Sequence, residues 1–188
     1  MRKITSKKTG TKRKQVMVGV ALVFVMLAST FGILTNSFGT ETNSGRINYN
    51  GFEFFEQNGF WITQIEDRDF IFRKNPIEVG DVANNIEVDL EDYYNKPLYI
   101  DSEDVEVSSE IYNNLNVNGI VMRTQAGCFE EPCKENVPIK TCEDNLIVIH
   151  QEDYSSIVTE NNCVFIKGPE EDLIKITDGF LFKLLGIE

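Results

Sequence analysis

Residues 97–124 read PLYIDSEDVEVSSEIYNNLNVNGIVMRT, and this stretch sets the class of the fold. Pro97–Asp101 (PLYID) predicts a strand. From Asp104 to Val117 the apolar residues Val107, Ile111, Tyr112 and Leu115 recur at helical spacing. Asn118-Gly119 ends that helix, because both residues tolerate the left-handed backbone that closes a last turn. Gly119–Thr124 then predicts a second strand through Ile120, Val121 and Met122. A strand, a helix and a strand in this order predict a parallel pair.

Working outward, Leu146–His150 (LIVIH) and Cys163–Ile166 (CVFI) are short continuous apolar runs, the pattern of strands buried on both faces. Gly168-Pro169 opens a final helix over Glu170–Leu185. Glu170, Glu171 and Asp172 stand in its first turn, where the helix dipole favours negative charge. Leu173, Ile176, Phe180, Leu181, Leu184 and Leu185 form a wide stripe, so the helix is expected to lie across the sheet.

Upstream, Ile47–Phe55 predicts a strand that reaches the hairpin signal Asn58-Gly59. Phe60–Ile65 and Phe70–Phe72 follow as strands, with a charged turn at Glu66–Asp69 between them. The rings alternate with polar residues, so they read as one buried face of a meander rather than as a platform for sugars. Asn75-Pro76 predicts a helix start, with Asn75 as the cap and a short helix from Ile77 to about Asn84. Ile86–Leu90 alternates strictly and predicts one more strand. Its carboxylates, Glu87 and Asp89 with Glu91 and Asp92, match no calcium loop and read as a solvated face. The expected class is α+β: an aromatic meander and a mixed sheet, packed by a C-terminal helix.

Charge divides the chain. The formal net charge is −12, yet seven of the 18 basic residues precede residue 15 and no acidic residue appears before Glu41. Between these blocks, Val16–Leu34 (VMVGVALVFVMLASTFGIL) carries no charge. As a helix it would run about 28 Å, close to the hydrocarbon thickness of a bilayer. Residues 1–15 therefore read as a basic cytoplasmic tail and 16–34 as a transmembrane anchor. Residues 35–45 then read as a polar linker and 46–188 as one domain outside the membrane. A cleavable signal ending near Gly39 is the competing reading; the apolar run is longer than a signal core. Both readings export the body. Its acidity argues against nucleic-acid binding, which needs a basic face to neutralise phosphates, and no nucleic-acid partner is expected.

Cys128, Cys133, Cys142 and Cys163 all fall in the exported body. An even count in an oxidising compartment predicts two disulfides. The pairing favoured is Cys128–Cys133 with Cys142–Cys163; Cys128–Cys142 with Cys133–Cys163 is the alternative. The spacings lack the Cys-x2-Cys knuckle of a zinc site, and Glu130 and Glu131 would raise a thiol pKa at a redox pair. His150 is the sole histidine; Ser155 and Ser156 are near it, but no Gly-x-Ser-x-Gly elbow occurs. No phosphate loop, dinucleotide fingerprint or zinc-protease motif is present. No catalytic, cofactor or metal residue is therefore nominated.

The layout resembles a group of small, uncharacterised archaeal proteins with an N-terminal anchor. The similar features are the basic tail and anchor, YNGFEF (49–54), FIFRKNPIEV (70–79), the Pro138 to Cys142 step and the closing LLGI (184–187). The resemblance implies one anchored, exported α/β-type domain and carries no site residue. The function expected from all of this is a non-enzymatic module for binding or assembly at the cell envelope, held in the lipid bilayer through residues 16–34 and partnered by another envelope protein. An exported enzyme using cysteine or metal chemistry is the alternative.

Overall fold

The computed structural model describes residues 45–82, 86–133 and 136–187, together with Met26. The basic tail, the apolar run 16–34 apart from Met26, the linker up to residue 44 and the cleavage pattern near Gly39 lie outside the described residues. Among the described residues no helix is long and apolar enough to cross a membrane.

Asparagine–glycine pairs build the first sheet. Asn50 and Gly51 have φ of 49° and 88°, and Asn58 and Gly59 have 55° and 79°. Two consecutive positive φ values make the tight turn whose twist suits a hairpin. The expected strand Ile47–Phe55 is therefore two strands, β1 (Arg46–Tyr49) and β2 (Phe52–Gln57), folded at Asn50-Gly51. With β3 (Phe60–Ile65) and β4 (Arg68–Phe72) they form an antiparallel sheet in sequence order. Register aligns Ile47, Phe54, Thr63 and Phe70 on the buried face. It aligns Arg46, Phe55, Ile62 and Ile71 on the outer one.

The helix after Asn75 is capped as expected and stops early. The Glu78 amide donates to Asn75 Oδ1 at 2.9 Å, and the Asn75 amide donates to Glu78 Oε2 at 3.0 Å. This capping box opens α1 (Pro76–Val79), which ends at Gly80, φ 64°, instead of continuing towards residue 84. Ile86–Leu90 forms no strand. Ile86 is buried and Val88 half-buried against the core, so the alternation reflects one-sided packing without a partner ladder. The segment closes in a 3-10 turn, Leu90–Asp92.

The second sheet contains β5 (Pro97–Asp101), β6 (Arg123–Ala126), β7 (Leu146–Gln151), β8 (Ser156–Glu160) and β9 (Cys163–Gly168). Their order is β6-β5-β7-β9-β8, with every pair parallel except β8 with β9. The strand–helix–strand unit is thus parallel, through α2 (Val105–Ile111) and a wider π turn, Tyr112–Val117. β6 starts at Arg123, not Gly119, because the amides of Ile120 and Val121 both return to the Leu115 carbonyl. They finish the helix instead of joining a ladder. β8 has no counterpart in the sequence reading; SIVTE is a half-polar edge strand with a weak periodicity.

Between the sheets lie α2 and α3 (Leu173–Leu184), the latter entered through a 3-10 turn at Glu170–Asp172. The Phe182 ring sits 5.8 Å from Phe54 and 4.6 Å from Phe72, both on the first sheet. Leu98, Ile100, Ile147, Ile149, Val164 and Ile166 of the second sheet join the same core. Because α3 has a sheet on each side, Phe180, Leu181 and Phe182 are all fully buried, and its apolar stripe is a belt. The far face of the second sheet carries a smaller cluster of Tyr99, Leu146, Val148 and Cys163, covered by Phe129 and Cys142.

Candidate functional site

The chain leaves β5 through α2 to reach β6 on one side, then returns to β7 on the other. That reversal leaves a crevice beyond the carboxyl ends of β5 and β7, the place where open parallel sheets hold ligands. A cleft of about 1030 Å³ opens there. Its walls are the ends of β5, β6 and β7, the first turns of α2 and α3, and the Cys128–Cys133 loop.

The walls are acidic. Asp101, Glu103, Asp104 and Glu106 come from β5 and the start of α2. Glu130 comes from the cystine loop, Glu152 from the end of β7, and Glu170 and Glu171 from the entry to α3. Among the described residues no Lys or Arg lines the cleft. Glu106 pairs with Arg73 at 3.5 Å, and two other carboxylates have structural duties. Asp101 Oδ2 accepts the Phe129 amide at 2.8 Å and so places the cystine loop. Asp104 caps α2, accepting from Glu106 at 2.8 Å and Val107 at 3.1 Å. The others are spread along the rim, and among the described residues no three His, Cys, Asp or Glu side chains converge as metal ligands.

Cys128 is bonded to Cys133 and Cys142 to Cys163, the pairing favoured above, and no described cysteine is free. The first disulfide forms a wall of the cleft; the second lies in the cluster on the far face of the sheet. His150 is exposed at the end of β7 and also lines the cleft. Ser156 is two strands away, since both residues pair with Lys167 of the strand between them. At strand spacing this is roughly 10 Å, beyond proton-transfer reach.

No protein-family model, curated protein or solved structure matches the chain.

A second polar cluster lies inside the fold, along the edge strand β4. Asn114 Oδ1 accepts the Ile71 amide and its Nδ2 donates to the Ile71 carbonyl. Glu110 Oε1 accepts the Arg73 amide at 3.1 Å, and Asn118 Nδ2 donates to the Asp69 carbonyl at 3.1 Å. From α3, Asp178 Oδ2 accepts the Lys74 amide at 2.8 Å. Burial pushes the Glu110 carboxyl above the ordinary range. Burial and the neighbouring charge of Glu110 push Asp178 well above it.

The sequence reading nominated neither cluster. The cleft's acids come from four separate segments, and nothing short of the sheet order brings them together. Glu110, Asn114 and Asn118 do share a signal, polar residues at every fourth position on a helix whose other face is apolar. That signal also describes an ordinary solvated face.

Proposed function

We propose that the chain is a membrane-anchored extracytoplasmic binding module. Residues 16–34 cross the bilayer with the N-terminus in the cytoplasm, and the cleft takes a basic segment of another envelope protein. The observation that carries this is the cleft itself: among the described residues, eight carboxylates and no Lys or Arg surround about 1030 Å³. Acids spaced along a rim suit an extended polycation better than a bare ion, because each ammonium or guanidinium finds its own carboxylate. With all four cysteines in disulfides, the wall beside His150 presents no thiol for nucleophilic chemistry, which supports binding over a cysteine enzyme.

Two measurements test the reading. Protease added outside intact cells should digest the body and spare residues 1–15; a protected body refutes export. Titration of a Lys-rich peptide into the full chain should perturb Ala126, Gln151 and Glu171, and the affinity should fall as salt is raised. Glu170→Gln with Glu171→Gln should weaken it several-fold. Equal binding of a Glu-rich peptide, or none of either at low salt, refutes the cleft.

A further inference from the structure

Two carboxyl groups meet in the interior, one from each central helix. Glu110 on α2 is 4% exposed and Asp178 on α3 is 0% exposed. One oxygen of each is taken by consecutive backbone amides, Arg73 and Lys74. The two carboxyl groups lie side by side, within hydrogen-bonding reach of each other. The second oxygen of Asp178 is buried with no hydrogen-bond partner among the described residues. Two ionised carboxyls in this position repel. One proton between them replaces that repulsion with a hydrogen bond and gives Asp178 Oδ1 the partner it lacks.

The surroundings do not neutralise the pair. From the end of β4, the half-exposed Arg73 guanidinium stands 3.8 Å from Glu110 and 3.5 Å from Glu106. α2 itself adds Glu106, a further negative charge, and the buried neighbour of Asp178 on α3, Thr177, is neutral. The segment entering α1 adds Lys74 and Glu78, both exposed, with Glu78 engaged by Asn75. The one arginine is shared between Glu110 and Glu106.

We propose that Glu110 and Asp178 share one proton and form a latch that fastens α2 to α3 and both to the end of β4. Removing the proton leaves two buried negative charges. Water then enters between the helices, and the Arg73 and Lys74 amides lose their acceptors. Glu106 and Ile174, one turn earlier on the same helices, line the cleft, so its wall loosens with the latch. The latch is argued from the pair's own geometry and stands whether or not the cleft binds a partner.

The test uses the full chain in detergent micelles. Amide exchange is followed from about pH 5 to about pH 9, with the intrinsic pH dependence of exchange divided out, alongside the carboxyl carbon resonances of Glu110 and Asp178. Protection at Arg73 and Lys74 should fall at least tenfold as the two carboxyls lose their shared proton. Asp178→Asn should keep protection throughout, because its carbonyl still accepts from Lys74 while its amide donates to Glu110. Glu110→Gln gives the same test from the other helix should Asp178→Asn not fold. Constant protection in the unsubstituted protein overturns the latch. So do carboxyls already ionised at the acid end, an equal fall in the variants, or a fall shared by every core amide.

Discussion

Asn114 stands beside Ile71 as a residue of a neighbouring strand would: its Oδ1 accepts the Ile71 amide at 2.9 Å and its Nδ2 donates to the Ile71 carbonyl at 2.7 Å. β4 is the edge of the first sheet, and an open edge invites pairing with another chain. Side chains at 110, 114 and 118 meet backbone groups at 73, 71 and 69, so a helix closes the edge in place of a fifth strand. Asn114→Ala should cost about 2–4 kcal/mol, since it strips two partly buried backbone groups and leaves a void. Asn118→Ala, at an exposed bond, should cost under about 1 kcal/mol. Urea midpoints decide this; equal losses would mean that Asn114 is not a special position.

Gly179 lies mid-helix in α3, where alanine would ordinarily add about 1 kcal/mol of helix propensity. A Cβ there would sit 2.3 Å from Val82 Cγ2 and 3.0 Å from Val79 Cγ1. Valine has little rotameric freedom to give way. Gly179→Ala is therefore expected to destabilise by about 1–3 kcal/mol. A melting temperature that is unchanged or higher would show that the chain around Val82 yields freely.

The two disulfides should contribute unequally. Cys142–Cys163 spans 21 positions and Cys128–Cys133 spans five. Chain entropy assigns them about 3 and about 2 kcal/mol. Replacing Cys142 and Cys163 by Ala should lower stability more than replacing Cys128 and Cys133, and only the second pair of changes should alter the cleft wall. Denaturant titration of the two double variants checks the order.

The buried carboxyl pair makes stability fall with pH. Its folded pKa values lie above the unfolded ones, so the folded state holds protons that the unfolded chain releases. The contribution is complete below about pH 4, where the unfolded carboxyls are also protonated, and is lost as pH rises towards the folded values. Asp178→Asn should accordingly be more stable than the unsubstituted protein by about 1–2 kcal/mol near pH 8. That margin should shrink or reverse near pH 4. A difference that does not vary with pH would remove the pair as its source.

Local chemistry was enough for much of this protein. Asn58-Gly59 names its own turn, because only a few residues accept two positive φ values in succession. Asn75-Pro76 names its helix start, because the cap and the pre-set proline φ act within four residues. The apolar runs LIVIH and CVFI declare strands buried on both faces, and the expected cysteine pairing is the one the fold forms. Asn50-Gly51 carried the same turn signal as Asn58-Gly59, and both pairs fold as turns.

Tertiary structure decided the rest. Ile86–Leu90 alternates like a strand and is none, since a strand exists only where a partner ladder meets it. Ile120 and Val121 form a helix ending because their amides donate to the Leu115 carbonyl instead of joining a ladder with β5. The acids of the cleft and the Glu110–Asp178 pair are dozens of residues apart in the chain and met only when the strand order placed α2 beside α3. Periodicity and capping are short-range and act through neighbouring residues, whereas strand pairing, burial from both sides and the meeting of two charges depend on segments far apart in the chain.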